Sequence, residues 1–375
     1  MIQIKEVNTR RELKEFIMFP FTLYANNPNW IPPLIQDEIH TLSKDKNPAF
    51  EYCEAKYWLA YRENKVVGRI AGIINHKYIE KWKNRYVRFG WVDFIEDFEV
   101  AKALTGAVEQ WAASKGMDAV HGPLGFCDLD KEGMLIEGYN ELGMMITIYN
   151  APYYPEFMEK LGYVKDVDWL EFEIKAPEQL PERVLKINDI VMKKLKLKIL
   201  PAKKSSDFLP YAKEVFHLLN DAYKELYGVV ELSEKQIDAY VKQYFSYVNP
   251  DYVRIILNEE NQVVAFGIAI PSLALAIRKA KGKFFPFGFV HLLKALKKND
   301  RLDLCLVAVK PELQGKGVNA LILADITQAA IRNGIKYAET GPELEENKDV
   351  QSLWKFYEVR QHKKRRCYIK KLSKQ

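Results

Sequence analysis

The chain has 375 residues, 48% hydrophobic and 28% charged, with a formal net charge of +6. That composition excludes disordered, collagen-like and disulfide-stapled classes, and the length favours two hydrophobic cores over one. Cys53, Cys127, Cys305 and Cys367 lie far apart with no C-x-x-C pair, which argues against a metal ribbon and suits a reducing compartment.

In chain order, IQIKEV predicts a strand and RRELKEFIMFPFTLYAN a helix, followed by a proline-aromatic loop, NPNWIPPLIQDEI. AKYWLAYREN and KVVGRIAGIIN predict a hairpin turning at Glu63-Asn64. RYVRFGWVDF reads as a strand and EVAKALTGAVEQWAASKG as an amphipathic helix ending at Gly116. DAVHGPLGF, PYYPEFMEKLGY and VDWLEFEIKAP then read as strand, short helix and strand. The polar run KAPEQLPE, with two prolines, is the best linker candidate.

Beyond it the order largely repeats. LPERVLKINDIVMKKL predicts a helix, LKLKILPA a strand, and DFLPYAKEVFHLLNDAYKELYG and LSEKQIDAYVKQYFSYV two helices, the second capped by Ser233. DYVRIILNEE and QVVAFGIAIPS pair around Glu260-Asn261; RLDLCLVAV, NALILADITQAAIRNG and KYAETGP read strand, helix, strand. DVQSLWKFYEV and KKRRCYIKKL close the chain as helix and strand. The expected fold is therefore α/β (α+β) with two domains, each a mixed, mostly antiparallel sheet flanked by helices. The boundaries drawn are 1–176 for an N-terminal domain, 177–194 for linker and helix, and 195–375 for a C-terminal domain.

The strand RLDLCLVAV runs into VKPELQGKGVNALILAD, a short glycine-bearing loop opening a helix. Such a junction aims several backbone amides and the positive end of the helix dipole in one direction, and glycine lets the backbone approach a phosphate. Lys310 and Lys316 add charge, and Asn319 suits an N-cap. The loop is neither G-x-x-x-x-G-K-[ST] nor G-x-G-x-x-G, so P-loop and dinucleotide readings drop out.

These residues carry a resemblance. VAVKPELQGKGVNALIL resembles the acyl-CoA pyrophosphate loop of the GCN5-related N-acetyltransferase superfamily, whose pattern is Gln or Arg, two residues, Gly, any residue, then Gly or Ala. Gln314 and Gly317 match, while Asn319 departs from the last position. YAETGPELEENKDVQSLWKFYEV resembles the family's second hallmark, with Asn347 and Tyr357 in the matching places. The resemblance covers roughly Lys196 to Leu372. It implies acetyl-CoA or coenzyme A as acyl donor, held by the strand Leu306, Val307, Ala308 and Val309, the loop Gln314, Gly315, Lys316, Gly317, Val318 and Asn319, and Asn347. It also implies Tyr357 as the acid that protonates the departing thiolate. A base for the amine is sought among Glu339, Asp303, Glu343 and Glu345, with Glu339 put forward.

The first half resembles a degenerate copy. At the comparable junction it carries IEDFEVAKAL, without glycine and with Glu96, Asp97 and Glu99, so it is expected not to bind CoA and to shape the acceptor site or an interface. The reading is thus an N-acyltransferase, acetyl transfer first, acting on a small-molecule amine or peptide. A non-catalytic acyl-CoA-binding or scaffold protein is one alternative. The other is an aminoacyl-tRNA-dependent transferase, which the basic clusters suit but the QGKG loop does not favour. No metal is expected, and nucleic acid is disfavoured because no binding motif accompanies the charge. His76, His121 and His217 read as structural or surface residues, and Cys305 as inert. With no apolar signal core and with Pro271 interrupting the longest apolar run, no membrane span and a cytoplasmic location are expected. FFPFGFVHLLKALKK interleaves apolar residues and lysines like an interfacial helix, but is read as an inserted element over the second-half cleft.

Overall fold

The computed structural model describes residues 1–373, so Lys374 and Gln375, the end of the expected C-terminal domain, lie outside the described residues. From the N-terminus the elements run β1 (Gln3–Glu6), α1 (Arg10–Leu23), α2 (Ile35–Leu42), β2 (Cys53–Arg62), β3 (Lys65–Asn75), α3 (His76–Trp82), β4 (Tyr86–Phe94), α4 (Phe98–Ser114), β5 (Ala119–Gly122), β6 (Met134–Glu137), α5 (Tyr153–Lys160) and β7 (Val164–Lys175). The chain continues through α6 (Glu182–Lys194), β8 (Lys198–Ile199), α7 (Ala212–Tyr223), α8 (Glu234–Tyr244), β9 (Val253–Leu257), β10 (Val263–Pro271), α9 (Ala274–Ala280) and α10 (Gly288–Lys297). It ends with β11 (Arg301–Val309), α11 (Val318–Arg332), β12 (Tyr337–Thr340), β13 (Glu343–Leu344), α12 (Lys348–Gln351) and β14 (Glu358–Lys371).

The chain forms two compact units. In unit one, β1, β2, β3 and β4 pair antiparallel in that order, β4 pairs β5 in parallel, and the C-terminal part of β14 pairs antiparallel with β5. Glu63 and Asn64 turn the β2–β3 hairpin with φ of 48° and 60°, the left-handed pair that a tight two-residue hairpin requires. The face of α4 carrying Val100, Ala101, Leu104, Val108, Trp111 and Ala112 recurs every three or four residues and is buried against the sheet. On a second core of the same unit lie Phe16 and Ile17 of α1, packed with Tyr57, Leu59 and Phe126. Thr9 and Glu12 start α1 with a capping box.

In unit two the order is β7–β12–β11–β10–β9–β8, antiparallel except for the parallel β11–β12 pair. The β11–α11–β12 crossover thus repeats the β4–α4–β5 crossover of unit one, and each unit is a mixed, mostly antiparallel sheet with flanking helices. Leu321, Ile322, Ile326, Ala329 and Ala330 of α11 bury against Ile256, Val264 and Ala265.

Residues 177–194, expected as linker and helix, hold α6, whose Val191 and Met192 pack with the following Leu195 on the unit-two core. The expected domain 195–375 differs from the units: residues 274–291 and the segment from His362 onward belong to unit one. The cationic run RQHKKRRCYIKK is largely buried or paired. Lys363 and Arg365 are buried, Lys364 and Arg366 reach Asp168, and Lys370 reaches Glu109. Strand alternation buries Lys363 and Arg365 on one face, while carboxylates from β7 and α4 meet Lys364, Arg366 and Lys370 on the other. The proline-aromatic loop also hides a helix, α2, whose start carries no side-chain cap that the sequence could have advertised.

Candidate active site

The site is built where β11 meets α11. Between Ile268 and Ala269 the β10–β11 register breaks: Ile268 faces Leu306 and Ala269 faces Leu304, which leaves Cys305 as an extra residue, a β-bulge. On its other side β11 pairs with β12 only from Arg301 to Leu304. Past the bulge the two parallel strands part, and the last link is Gly341 N–H to Leu304 O at 3.0 Å. Residues Leu306 to Val309 therefore present a strand edge that β12 does not occupy. Lys310 N–H donates to Val264 O at 2.9 Å, so by alternation Leu306 and Ala308 turn their backbone groups to β10 and Val307 and Val309 turn theirs to the open edge. Consistently, Val307 O accepts from Tyr223 Oη at 3.0 Å and Val309 O from Gln314 Nε2 at 3.0 Å.

The turn after β11 is shaped by two glycines, Gly315 at φ +70° and Gly317 at φ +86°. Both lie in the left-handed region that disfavours a Cβ. Gly317, not Asn319, is the N-cap of α11, and Leu321 N–H is the first to close a helical bond, onto Gly317 O at 3.1 Å. The amides of Val318, Asn319 and Ala320 are left as the orphan donors of the helix start. The sequence placed the cap at Asn319 because Asn is a good capping residue; a left-handed glycine two positions earlier starts the helix instead. Asn319 sits in the first turn, and among the described residues its Oδ1 is buried and receives no hydrogen bond. Gln314, Gly315, Lys316 and Gly317 are exposed beside these amides, Val318 packs into the core, and Lys310 is half-buried. Converging amides, a dipole end and two lysines suit a phosphate-bearing group.

A second cluster gathers around Trp354, in the 3-10 turn that follows α12. Its Nε1–H donates to both carboxylate oxygens of Glu343, at 3.0 and 3.2 Å. Burial pushes the Glu343 carboxyl up to about 7, against the hydrogen bonds from Trp354 and Thr340 that pull it down. Tyr357 lies next, its ring centroid 6.5 Å from that of Trp354 and its Oη 3.3 Å from Thr327 Oγ1 on α11. Burial raises the Tyr357 phenol, and the Thr327 hydrogen bond opposes the rise. The α12 turn thus brings the expected acid to the helix that follows the glycine loop. Asn347 caps α12, its side chain accepting from Val350 N–H at 3.3 Å.

Glu339 is placed differently from Glu343. It is 5% exposed and bound to Arg301 Nη1 at 2.6 Å, the same guanidinium that holds Glu173 at 2.6 Å. Asp303 stands beside it in parallel register. That ion pair occupies one oxygen of the buried Glu339 carboxylate. The Cys305 thiol is pushed up by burial, with Asp303 adding to the shift, which fits an inert thiol.

In unit one the junction equivalent to the glycine loop is filled from within. Asp97 caps α4, its Oδ1 accepting from Glu99 N–H at 3.0 Å and Val100 N–H at 3.3 Å, and Arg62 holds its other oxygen at 2.6 Å. The amides that could meet an anion already have one. Sequence reading passed over a different group there, Asp128, Asp130 and Glu132 between β5 and β6. Burial raises all three, Asp130 to about 6 even though Phe126 and Cys127 amides donate to it. Three acids in the five residues of DLDKE were the available signal.

The comparisons with known proteins come down on one fold. The tandem GCN5-related N-acetyltransferase-fold protein of the clavulanic acid biosynthesis pathway superposes with a TM-score of 0.56 at 10% identity, covering 99% of this chain and 98% of that one. The chain has the tandem GCN5-related N-acetyltransferase fold. A GCN5-related N-acetyltransferase from Sphaerobacter thermophilus, with a TM-score of 0.51 at 9% identity, covers 99% of this chain and 95% of its own. No protein-family model matches the sequence. By sequence, Protein YghO of Escherichia coli K12 is 28% identical over 97% of this chain and 94% of its own length. The bacterial ceramide synthase of Caulobacter vibrioides is 28% identical over 84% of this chain and 83% of its own. Among the described residues, no helix is long and apolar enough to cross a membrane.

Proposed function

We propose that this chain is an acyl-CoA-dependent N-acyltransferase whose unit two holds the donor. The observation that carries the reading is the parted β11–β12 edge running straight into the Gln314–Gly317 turn and the orphan amides of α11. In that assignment Val307 and Val309 offer backbone groups to the amide-bearing arm of CoA. The turn residues Gln314 to Gly317, with the amides of Val318 and Asn319, receive its diphosphate. Leu306, Ala308 and Asn347 shape the slot by holding β11 and α12 in place.

The chemistry requires an amine to lose a proton and a thiolate to gain one. Glu343, pushed up to about 7, is matched to take a proton at neutral pH, and we assign it the base role in place of Glu339, which Arg301 occupies. Tyr357 Oη, turned toward α11, supplies the proton to the departing sulfur. The amine nitrogen forms the new C–N bond to the acyl carbon as the C–S bond breaks, so the products are an amide and CoA thiol. The ceramide synthase relative supports a long-chain amino alcohol as acceptor class: a ceramide is the amide of such an alcohol, so making one is acylation of an amine. That likeness widens the donor from acetyl-CoA to longer acyl-CoA thioesters.

Calorimetric titration with CoA, acetyl-CoA and palmitoyl-CoA tests the donor site, followed by thiol release across a panel of amines that includes a long-chain amino alcohol. A donor at a hundred times its dissociation constant should stabilise the fold by about 2.7 kcal/mol. Absence of binding for all three donors overturns the reading. Binding without thiol release for any amine favours an acyl-CoA-binding protein. Binding of aminoacyl-tRNA in place of CoA favours transfer from that donor.

A further inference from the structure

Between β10 and β11 the chain inserts α9 and the first turn of α10 into unit one. Ala274, Ala276 and Ile277 bury one side of α9, while Leu275 faces solvent. Gly282 O accepts from Ile35 N–H at 3.0 Å and Arg278 donates to Pro28 O, which anchors the insert at its base. Beyond this anchor the chain folds into a tight knuckle. Lys283 N–H bonds Ala280 O at 3.0 Å, Phe289 N–H bonds Phe284 O at 2.9 Å, and Val290 N–H bonds Phe287 O at 3.1 Å. Gly288 is pressed so closely that a Cβ would lie 1.8 Å from Lys283 O.

The hydrogen-bonded knuckle presents phenylalanines outward. Phe284 is 41% exposed, Phe285 72% and Phe287 73%. Phe284 and Phe285 touch each other and Phe289, with centroids 5.2 to 6.2 Å apart, so the rings form one patch. Lys279, Lys281 and Lys283, just before the patch in the chain, are also exposed. From Pro271 to Asn299 the sequence contains no Asp or Glu but carries Arg278, Lys279, Lys281, Lys283, Lys294, Lys297 and Lys298. A contiguous exposed apolar patch marks an interaction surface. Exposed aromatic rings in a lysine-bearing segment that itself holds no carboxylate complement a surface that is apolar inside and anionic outside.

We propose that this knuckle docks the protein on the surface of an anionic phospholipid bilayer, with Phe285 and Phe287 entering the headgroup–acyl boundary and Lys279, Lys281 and Lys283 facing the lipid phosphates. The fold holds the rings out before contact, so docking needs no rearrangement of unit one.

Sedimentation of the full chain with phosphatidylglycerol–phosphatidylcholine vesicles, against pure phosphatidylcholine vesicles, tests it. The protein should partition onto the anionic vesicles and release at high salt. Lys281→Glu/Lys283→Glu should weaken partition by more than twentyfold, at about fivefold per charge removed and more for reversal. Phe285→Ser/Phe287→Ser should weaken it at least tenfold with an unchanged melting temperature, because both rings are exposed. Failure of the wild-type chain to sediment with anionic vesicles overturns the proposal, as does equal partition of the Phe double variant. Should sedimentation velocity instead show a wild-type dimer that the Phe variant splits, with no vesicle binding, the patch belongs to a second copy of the chain and the proposal fails.

Discussion

Replacing Glu343 by Gln isolates the proposed base from everything else in its pocket. The amide keeps an oxygen for Trp354 Nε1–H and nearly the same volume, but it cannot ionise. In the wild-type chain the Glu343 carboxyl rises from 4.5 to about 7 because burial penalises its charged form. A folded-state value above the unfolded one means that ionisation opposes folding. The stability is fully present below about 4.5 and is lost as pH rises through about 7. At about 1.4 kcal/mol per pH unit, the separation bounds the loss at about 3 kcal/mol, and partial solvent access trims it to about 2. Glu343→Gln should therefore be about 2 kcal/mol more stable than wild type at pH 8.5 and indistinguishable from it at pH 4.5. Urea denaturation at the two pH values reads this directly. In the transfer assay the wild type should show a rising limb centred near pH 7 that the variant lacks, with turnover down about a hundredfold or more. A variant that is equally or less stable than wild type at both pH values would refute the claim that burial holds this carboxyl up.

Other expectations follow from the same geometry. Asn319→Asp puts a negative charge in the first turn of α11, where burial of its unpartnered oxygen should cost about 1 kcal/mol beyond what the helix dipole returns, and CoA should weaken about tenfold by calorimetry on protein shown to be folded by circular dichroism; unchanged CoA affinity would reduce the glycine loop to a turn. Tyr357→Phe keeps the ring beside Trp354, so CoA affinity should hold within about twofold while thiol release falls about a hundredfold, and equal turnover would remove Tyr357 from the reaction. In unit one, burial pushes Asp168 up, but hydrogen bonds from Arg366, Lys364 and Lys165 outweigh it and hold the carboxyl near 2. Its stabilisation is thus present above about pH 4 and lost as pH falls toward 2, so Asp168→Asn should destabilise the fold by about 2 kcal/mol at pH 7 in chemical denaturation, and by little at pH 2.

What the sequence by itself determined is local. Hydrophobic spacing at 3.6 residues marks α4 and α11, and alternation marks the β2–β3 and β9–β10 hairpins. Gly315 and Gly317 announce a turn between β11 and α11, and Ser233 announces the start of α8, because backbone conformation and capping depend on neighbours within four residues. Tertiary structure decided what depends on groups far apart in the chain. Glu339 and Glu343 lie four residues apart in KYAETGPELEE, yet one meets the guanidinium of Arg301 and the other the indole of Trp354, and it is burial in the fold that raises the Glu343 carboxyl to about 7. The partners of the cationic run near the chain's end, Asp168 and Glu109, are set only by the entry of β14 into unit one. The same holds for Phe285 and Phe287: their apolar character predicts burial, and only the hydrogen-bonded knuckle from Lys283 to Val290 holds them in solvent.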